Sequence, residues 1–237
     1  MNKEQVCKII REVAIIPAIR VSTAADAVFA AEAVTRGGIP IVEMTMTVPG
    51  ALELIARLVR DHPNMVVGAG TVLDTETARR CLDVGAGFIT APELNVEVTQ
   101  FVAKANVAVL PGALTPTEVT NAWRAGGDFV KVFPCSSVGG ETYIKALHMG
   151  LPQIPLMAAG GVNQQTAAGY ILAGAEVVGV GRELIPTEAI ERRQADRIRE
   201  LAHRFAGFVK EARERLNGMK TAVTHSQEEW RRSSGRS

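Results

Sequence analysis

Asp128-Phe-Val-Lys-Val-Phe-Pro134 places one lysine inside an apolar run, with Gly126-Gly127 before it and Pro134 closing it. β-Branched and aromatic residues between turn formers predict a buried strand of a parallel sheet. In such a strand the amine of Lys131 lies where water is scarce. Desolvation disfavours an ammonium ion, and a neutral amine is a nucleophile that condenses with ketones to a Schiff base. A plainer reading has the side chain snorkel to solvent or pair with Asp128. The rest of the chain decides between the two.

Outward from that stretch, strand-like and helix-like segments alternate. Strands are predicted at residues 14–20, 39–46, 65–72, 87–91, 107–110, 128–134, 154–159 and 176–180. Helices are predicted at 2–13, 22–35, 51–60, 75–84, 95–105, 115–125, 141–148, 163–173 and 187–216. Ser22, Asp74, Asn95 and Asn163 stand where N-caps belong, and Thr115-Pro-Thr-Glu118 reads as a capping box with proline at the first helical position. Alanines 24, 25, 27, 30 and 31 offer a face for close packing on a sheet. Eight strand–helix pairs are the number for a single (β/α)8 TIM barrel. A doubly wound sheet would carry a glycine-rich turn after its first strand, and none follows Arg20. A weak repeat, with Gly-containing helix ends before strands two, four, six and eight, fits a barrel of similar pieces or helix capping alone. The barrel, with its N-terminal helix, is assigned to residues 1–217. Residues 218–237 are polar without an apolar period and predict a disordered tail, with at most a short helix at 228–231.

Composition excludes several partner classes. With 26 basic and 25 acidic residues the net charge is +1, so no strong field draws nucleic acid. Aromatics make up 5% of residues, too few to suggest stacking platforms for single strands. Cys7, Cys81 and Cys135 are scattered and odd in number, which predicts a reducing, cytoplasmic setting and no metal centre. No apolar run nears the ~20 residues needed to span a bilayer.

In a barrel, chemistry sits at the C-terminal strand ends. Those positions hold Arg20, Glu43 with Thr45 and Thr47, Thr71, Thr90 with Pro92, Pro111, Lys131, Gly160-Gly161 and Gly181-Arg182. The set contains one amine, one carboxylate, hydroxyls, two guanidinium groups and two glycine turns. It contains no His or Cys cluster suited to a metal. Glu43 in Ile-Val-Glu-Met-Thr shares a strand face with Thr45 and Thr47. It is either the partner of Lys131 in a buried salt bridge or the proton shuttle beside a lysine imine. Gly160-Gly161-Val-Asn163 and Gly179-Val-Gly-Arg-Glu183 follow strands seven and eight, where backbone N–H groups cradle phosphate in many barrels. Tight turns alone would also use glycine there. His62, His148, His203 and His225 fall away from the catalytic face, and no base neighbours Cys135, so all five are assigned to packing or surface.

Six motifs, in order, carry a resemblance: Val42-Glu-Met-Thr-Met-Thr, Gly68-Ala-Gly-Thr-Val-Leu73, Phe88-Ile-Thr-Ala-Pro92, Pro111-Gly-Ala-Leu-Thr-Pro-Thr-Glu118, Phe129-Val-Lys-Val-Phe-Pro134 and Gly160-Gly-Val162. From about residue 4 to 185 the chain resembles the 2-keto-3-deoxy-6-phosphogluconate (KDPG) and 4-hydroxy-2-oxoglutarate (KHG) aldolases, class I aldolases of the barrel fold. The resemblance implies that Lys131 forms the Schiff base with the pyruvyl carbonyl and that Glu43 is the general acid/base. It also implies that Thr71 and Phe133 hold the keto acid, that no cofactor or metal is needed, and that the protein is a homotrimer. Three positions depart from the commoner pattern. Thr47 stands where many members carry a carboxylate-binding Arg, a charge that Arg20 is placed to supply. Ala159 replaces a Thr before the paired glycines. Arg182 replaces a phosphate-binding Ser, and points either inward to an anionic substrate end or outward as a surface residue. Rival functions are a lysine-iminium decarboxylase or dehydratase, a phosphosugar isomerase or synthase in which Lys131 is only electrostatic, and a non-catalytic trimeric scaffold.

Overall fold

Parallel strands alternate with helices around a ring in the computed structural model, which describes the backbone of residues 1–234 and the side chains of residues 1–219. In chain order the strands are β1 (Ile15–Ile19), β2 (Ile41–Thr45), β3 (Val66–Gly70), β4 (Phe88–Thr90), β5 (Ala108–Leu110), β6 (Gly112–Ala113), β7 (Val130–Val132), β8 (Leu156–Ala159) and β9 (Val177–Val180). They hydrogen-bond in the order β5-β4-β3-β2-β1-β9-β8-β7-β6. The two ends of that order, β5 and β6, are neighbours in the chain on either side of Pro111.

That proline turns the eight expected strands into nine segments. Lacking an N–H, it interrupts the ladder, so the first half of the fifth stave pairs with β4 and the second half with β7. Backbone bonds from Asp128 N to Val109 O (2.8 Å) and from Lys131 N to Pro111 O (2.9 Å) stitch the seam. Both faces of the staves are covered. β2 and β3 are buried at every residue, as the near-continuous apolar runs require.

The helices, among them α3 (Ala51–Asp61) and α7 (Gly140–Gly150), follow the predicted segments, with four differences from the sequence expectation. Asp74, Asn95 and Thr115 cap α4 (Thr75–Asp83), α5 (Val96–Lys104) and α6 (Pro116–Arg124), the last with a complete capping box. Thr23, not Ser22, caps α2 (Ala24–Arg36), its hydroxyl accepting from Asp26 N. Ala27, Ala30 and Ala31 are buried together with Ala33, whereas Ala24 and Ala25 face solvent. Asn163 accepts from Gln165 N and Thr166 N in a tight turn, and α8 begins only at Ala167, ending at Leu172. The last predicted helix is two: α9 (Thr187–Glu191) and α10 (Ala195–Ser234), parted at Arg193, whose φ is +53°.

α10 also corrects the expected tail. It runs past residue 217 to Ser234, through a stretch whose Lys, Ala, Gln, Glu and Arg residues are good helix formers. Its first turns pack on α2 and α8, and Gly37 lets it close in, since a Cβ there would lie 2.5 Å from Ala202 Cβ.

α1 (Lys3–Val13) lies against the N-terminal end of the barrel and buries Val6 and Ile10. Its Lys3 Nζ stands 2.9 Å from Asp128, and the other Asp128 oxygen accepts from Val109 N. Asp128 is therefore engaged at the end of the barrel opposite the Lys131 amine. Among the described residues no helix is long and apolar enough to cross a membrane.

Candidate active site

Lys131 occupies the middle of β7 and points to the barrel axis, only 8% exposed. Two staves flank it, with Gly112 on one side and Met157 on the other in register. Glu43, at the centre of β2, is 2% exposed and enters from the far side of the ring. Its Oε2 lies 3.5 Å from Lys131 Nζ. Thr90, the last residue of β4 and fully buried, donates its hydroxyl to Glu43 Oε2 at 2.8 Å. The same hydroxyl oxygen is 3.4 Å from Lys131 Nζ. The amine also lies 5.8 Å from the centroid of the Phe133 ring, on its cation-attracting face. Taking two charges out of water is tolerable only when their remaining hydrogen-bonding capacity is met, and the Thr90 hydroxyl meets part of it for both.

The carboxylate reaches the axis because β3 yields room. A Cβ on Gly70 would fall 2.1 Å from Glu43 Oε1 and 2.4 Å from its Cδ. Gly70→Ala is therefore expected to push the carboxylate off the amine. Misplacement of about 1 Å costs on the order of 10²-fold in rate, and overpacking about 1–3 kcal/mol in stability. Parallel measurement of kcat and of urea-induced unfolding checks both. A variant with parental turnover would show that Glu43 tolerates the displacement.

Above the pair opens a cavity of about 390 Å³, lined by Arg20, Glu43, Lys131, Phe133, Gly160, Gly161 and Arg182 among the residues expected from sequence. Ala18, Met157, Ala159, Val162, Glu183 and Ile185 complete much of the wall. Arg20 and Arg182 are exposed at the rim and form no ion pair with any described residue, which leaves two guanidinium groups facing the mouth. Gly160 and Gly161 have φ of +85° and +81°, and side chains there would strike Pro134 at 2.9 Å and Ser136 at 2.1 Å. The turn is thus a bare backbone edge pressed against the segment that follows β7. Its N–H-rich geometry suits an anion. Cys135 is fully buried in that segment, with its Sγ bonded to Gly160 O, and burial pushes its thiol up, as befits a bystander.

Thr47, Thr71 and Pro92 stand outside the cavity wall. Thr47 is exposed and lies 2.9 Å from Thr45 Oγ1. Thr45 commits its own proton to Ile19 O, so Thr47 is the donor of that pair. Pro92 packs on the fifth stave, where a Cβ on Gly112 would meet its carbonyl carbon at 2.2 Å. Thr71 is half-buried with φ of +62°, a left-handed backbone that strains a β-branched residue and is characteristic of functional sites. Thr90 joins the centre although no role was expected for it. Its signal in the sequence was a hydroxyl at a strand end on the face shared with Phe88.

A larger depression of about 570 Å³ lies at the opposite end, beneath α1, between Val6, Val59, Met65 and Asn106. Its lining holds Lys3, already paired with Asp128, and Met1, but no carboxylate, imidazole or thiol to work beside them. Among the described residues no group of three or more His, Cys, Asp or Glu is placed to hold a metal ion.

The model of the family described as KDPG and KHG aldolase matches residues 6–201 of this chain. The 2-dehydro-3-deoxy-phosphogluconate aldolase of Pseudomonas aeruginosa is 32% identical over 200 residues, covering 83% of this chain and 91% of that protein. Among solved structures, the KDPG aldolase of Legionella pneumophila, captured with pyruvate at low pH as a covalent carbinolamine intermediate, is similar with a TM-score of 0.78. Its identity is 28%, over 83% of this chain and 96% of that one. A cube-shaped, porous protein cage designed by fusing symmetric oligomeric domains gives a TM-score of 0.82 at 29% identity, over 94% of this chain and 83% of the cage chain.

Proposed function

The chain belongs to the KDPG and KHG aldolase family, and from that premise we propose that it is a class I aldolase cleaving a 2-keto-4-hydroxy acid to pyruvate and an aldehyde. The observation that carries the reading is one buried amine beside one buried carboxylate at the floor of a cavity on the C-terminal face. Lys131 Nζ adds to the ketone carbon, and loss of water leaves an iminium. Glu43 takes the proton of the hydroxyl two carbons away, the intervening carbon–carbon bond breaks, and the aldehyde departs. The bonding electrons go to the iminium, which becomes an enamine. Glu43 returns its proton to the enamine carbon, and hydrolysis releases pyruvate and the free amine. The protonated imine is the electron sink, so the chemistry calls for no cofactor.

Arg20 and the Gly160-Gly161 turn bind the anionic groups of the substrate, Phe133 packs on the keto acid, and Arg182 reaches the distal end. Thr71, Thr47 and Pro92 lie outside the cavity wall and act from behind it, supporting the strand ends that hold the keto-acid portion. The test is pyruvate release from KDPG and from 4-hydroxy-2-oxoglutarate. Loss of CO₂ or water without an aldehyde product would instead favour a lysine-iminium decarboxylase or dehydratase.

Arg182 brings a full charge and a planar donor fork to the turn after β9. Arg182→Ser is expected to cost kcat/KM at least about 10-fold on one of those two substrates, the scale of one charge-assisted contact. Equal values for parent and variant on both would place Arg182 outside the substrate's reach.

We further assign the protein to the cytoplasm, on the strength of three free, buried thiols at Cys7, Cys81 and Cys135. A homotrimer is supported by the likeness to a cage fused from symmetric oligomeric domains and by the exposed apolar side chains of Trp123, Val138 and Met149. Light scattering of the full chain tests the assembly.

A further inference from the structure

Thr90 is fully buried in an apolar stave, preceded by Phe88 and Ile89, and a hydroxyl in such a place is costly unless both its donor and acceptor sides are used. Here the two sides are used by the two groups of the proposed reaction. The hydroxyl proton goes to Glu43 Oε2 at 2.8 Å, and a lone pair faces Lys131 Nζ at 3.4 Å. A hydroxyl has one proton, so this orientation is fixed by the carboxylate. Nζ stands at nearly the same long distance from both groups, 3.5 Å from Glu43 Oε2 and 3.4 Å from Thr90 Oγ1, each beyond the usual 2.7–3.2 Å of a hydrogen bond. The short contact of the three is Thr90 Oγ1 to Glu43 Oε2 at 2.8 Å, so an amine that closes a few tenths of an ångström onto the hydroxyl is connected through it to the carboxylate.

We propose that Thr90 is the positioning residue of the site, holding Glu43 toward Lys131 and relaying a proton between them. The proposal rests on the aldolase reading above. In the relay an N–H bond of the ammonium breaks as an O–H bond forms at Thr90 Oγ1. The original Thr90 O–H breaks as one forms at Glu43 Oε2. One proton moves from amine to carboxylate, no electrons are transferred, and Thr90 ends as a neutral hydroxyl. The amine is then free to add to the ketone. β-Branching suits the task, because it restricts χ1 and holds the hydroxyl in one direction. The backbone holds as well, since Thr90 pairs in register with Leu110 and its carbonyl accepts from Val72 N at 3.2 Å.

The experiment compares the parent with Thr90→Val, which keeps the shape and loses the hydroxyl, and Thr90→Ser, which keeps the hydroxyl. Thr90→Ala replaces the valine variant if that fails to fold. For each, the rate of pyruvate trapping by borohydride is followed by intact mass, alongside kcat, KM and melting temperature. The expected result is a fall of about 10- to 100-fold in trapping rate and kcat for valine, with KM little changed. Serine should recover most of both. Parental trapping and turnover in the valine variant overturn the proposal. So does a serine variant as impaired as valine, which would assign the effect to packing by the methyl group. A parent that itself fails to trap pyruvate overturns the aldolase reading and the relay with it, a result distinct from a parent that traps while its variants match it.

Discussion

Lys131→Arg is expected to abolish pyruvate release while the barrel stays folded. A guanidinium keeps the positive charge that faces Glu43, so the buried carboxylate, 2% exposed, is not left unpaired. It has no amine able to add to a ketone near neutral pH, because arginine stays protonated. Lys131→Ala is the harsher change. Removing one partner of a buried pair costs about 3–5 kcal/mol, and a loss of activity there would mix chemistry with unfolding. The measurement is intact mass after borohydride reduction with pyruvate. The parent should gain one reduced pyruvyl group and the arginine variant none, with unchanged melting behaviour. A parent whose mass stays constant would end the Schiff-base mechanism, and an arginine variant that still traps would move the nucleophile to another lysine.

How much of this was legible in the sequence depends on the range of the interaction. The strands could be read because both faces of each stave are covered, so apolar runs stand out between glycine and proline turns. A charged residue within such a run is conspicuous, and Lys131 and Glu43 were found that way. Local capping chemistry placed Asp74, Asn95 and Thr115 correctly. It misplaced the start of α2 by one residue, because Ser22 and Thr23 are both capable caps and only the backbone path chooses between them. The seam at Pro111 was not legible, since a proline in a short strand shows which N–H is missing but not which neighbour each half will pair with. Thr90 was hidden for a similar reason. Its partners lie 47 and 41 residues away in the chain and meet only when β2, β4 and β7 close around one axis. Gly70 shows the same limit, for in sequence it is one of many glycines, and only the approaching Glu43 explains why no side chain fits there.

Glu43→Gln separates the two halves of the chemistry. Glutamine keeps nearly the volume of glutamate, and its amide oxygen can still accept the Thr90 hydroxyl, so the geometry around Lys131 should survive. What it lacks is a site that gains and loses a proton. Adding the amine to pyruvate loses the acceptor at the end of the Thr90 relay and should slow, as in Thr90→Val, but solvent at the cavity mouth can take that proton, so trapping is slowed rather than abolished. Carbon–carbon cleavage needs a base on the substrate hydroxyl at the moment the bond breaks, and a positioned acid/base contributes about 10²–10⁴-fold. The variant is therefore expected to trap pyruvate at least partly under borohydride while kcat falls by about 10²–10⁴-fold. Exchange of the pyruvate methyl hydrogens with deuterated water, followed by NMR, isolates the proton transfer itself and should slow by a comparable factor. Loss of stability is a separate outcome to be measured, because a neutral amide leaves the buried Lys131 ammonium without its countercharge. If turnover and exchange both stay near the parent's while stability drops, Glu43 is a structural counterion for Lys131, and the proton shuttle has to be sought among the other groups at the cavity, Glu183 first.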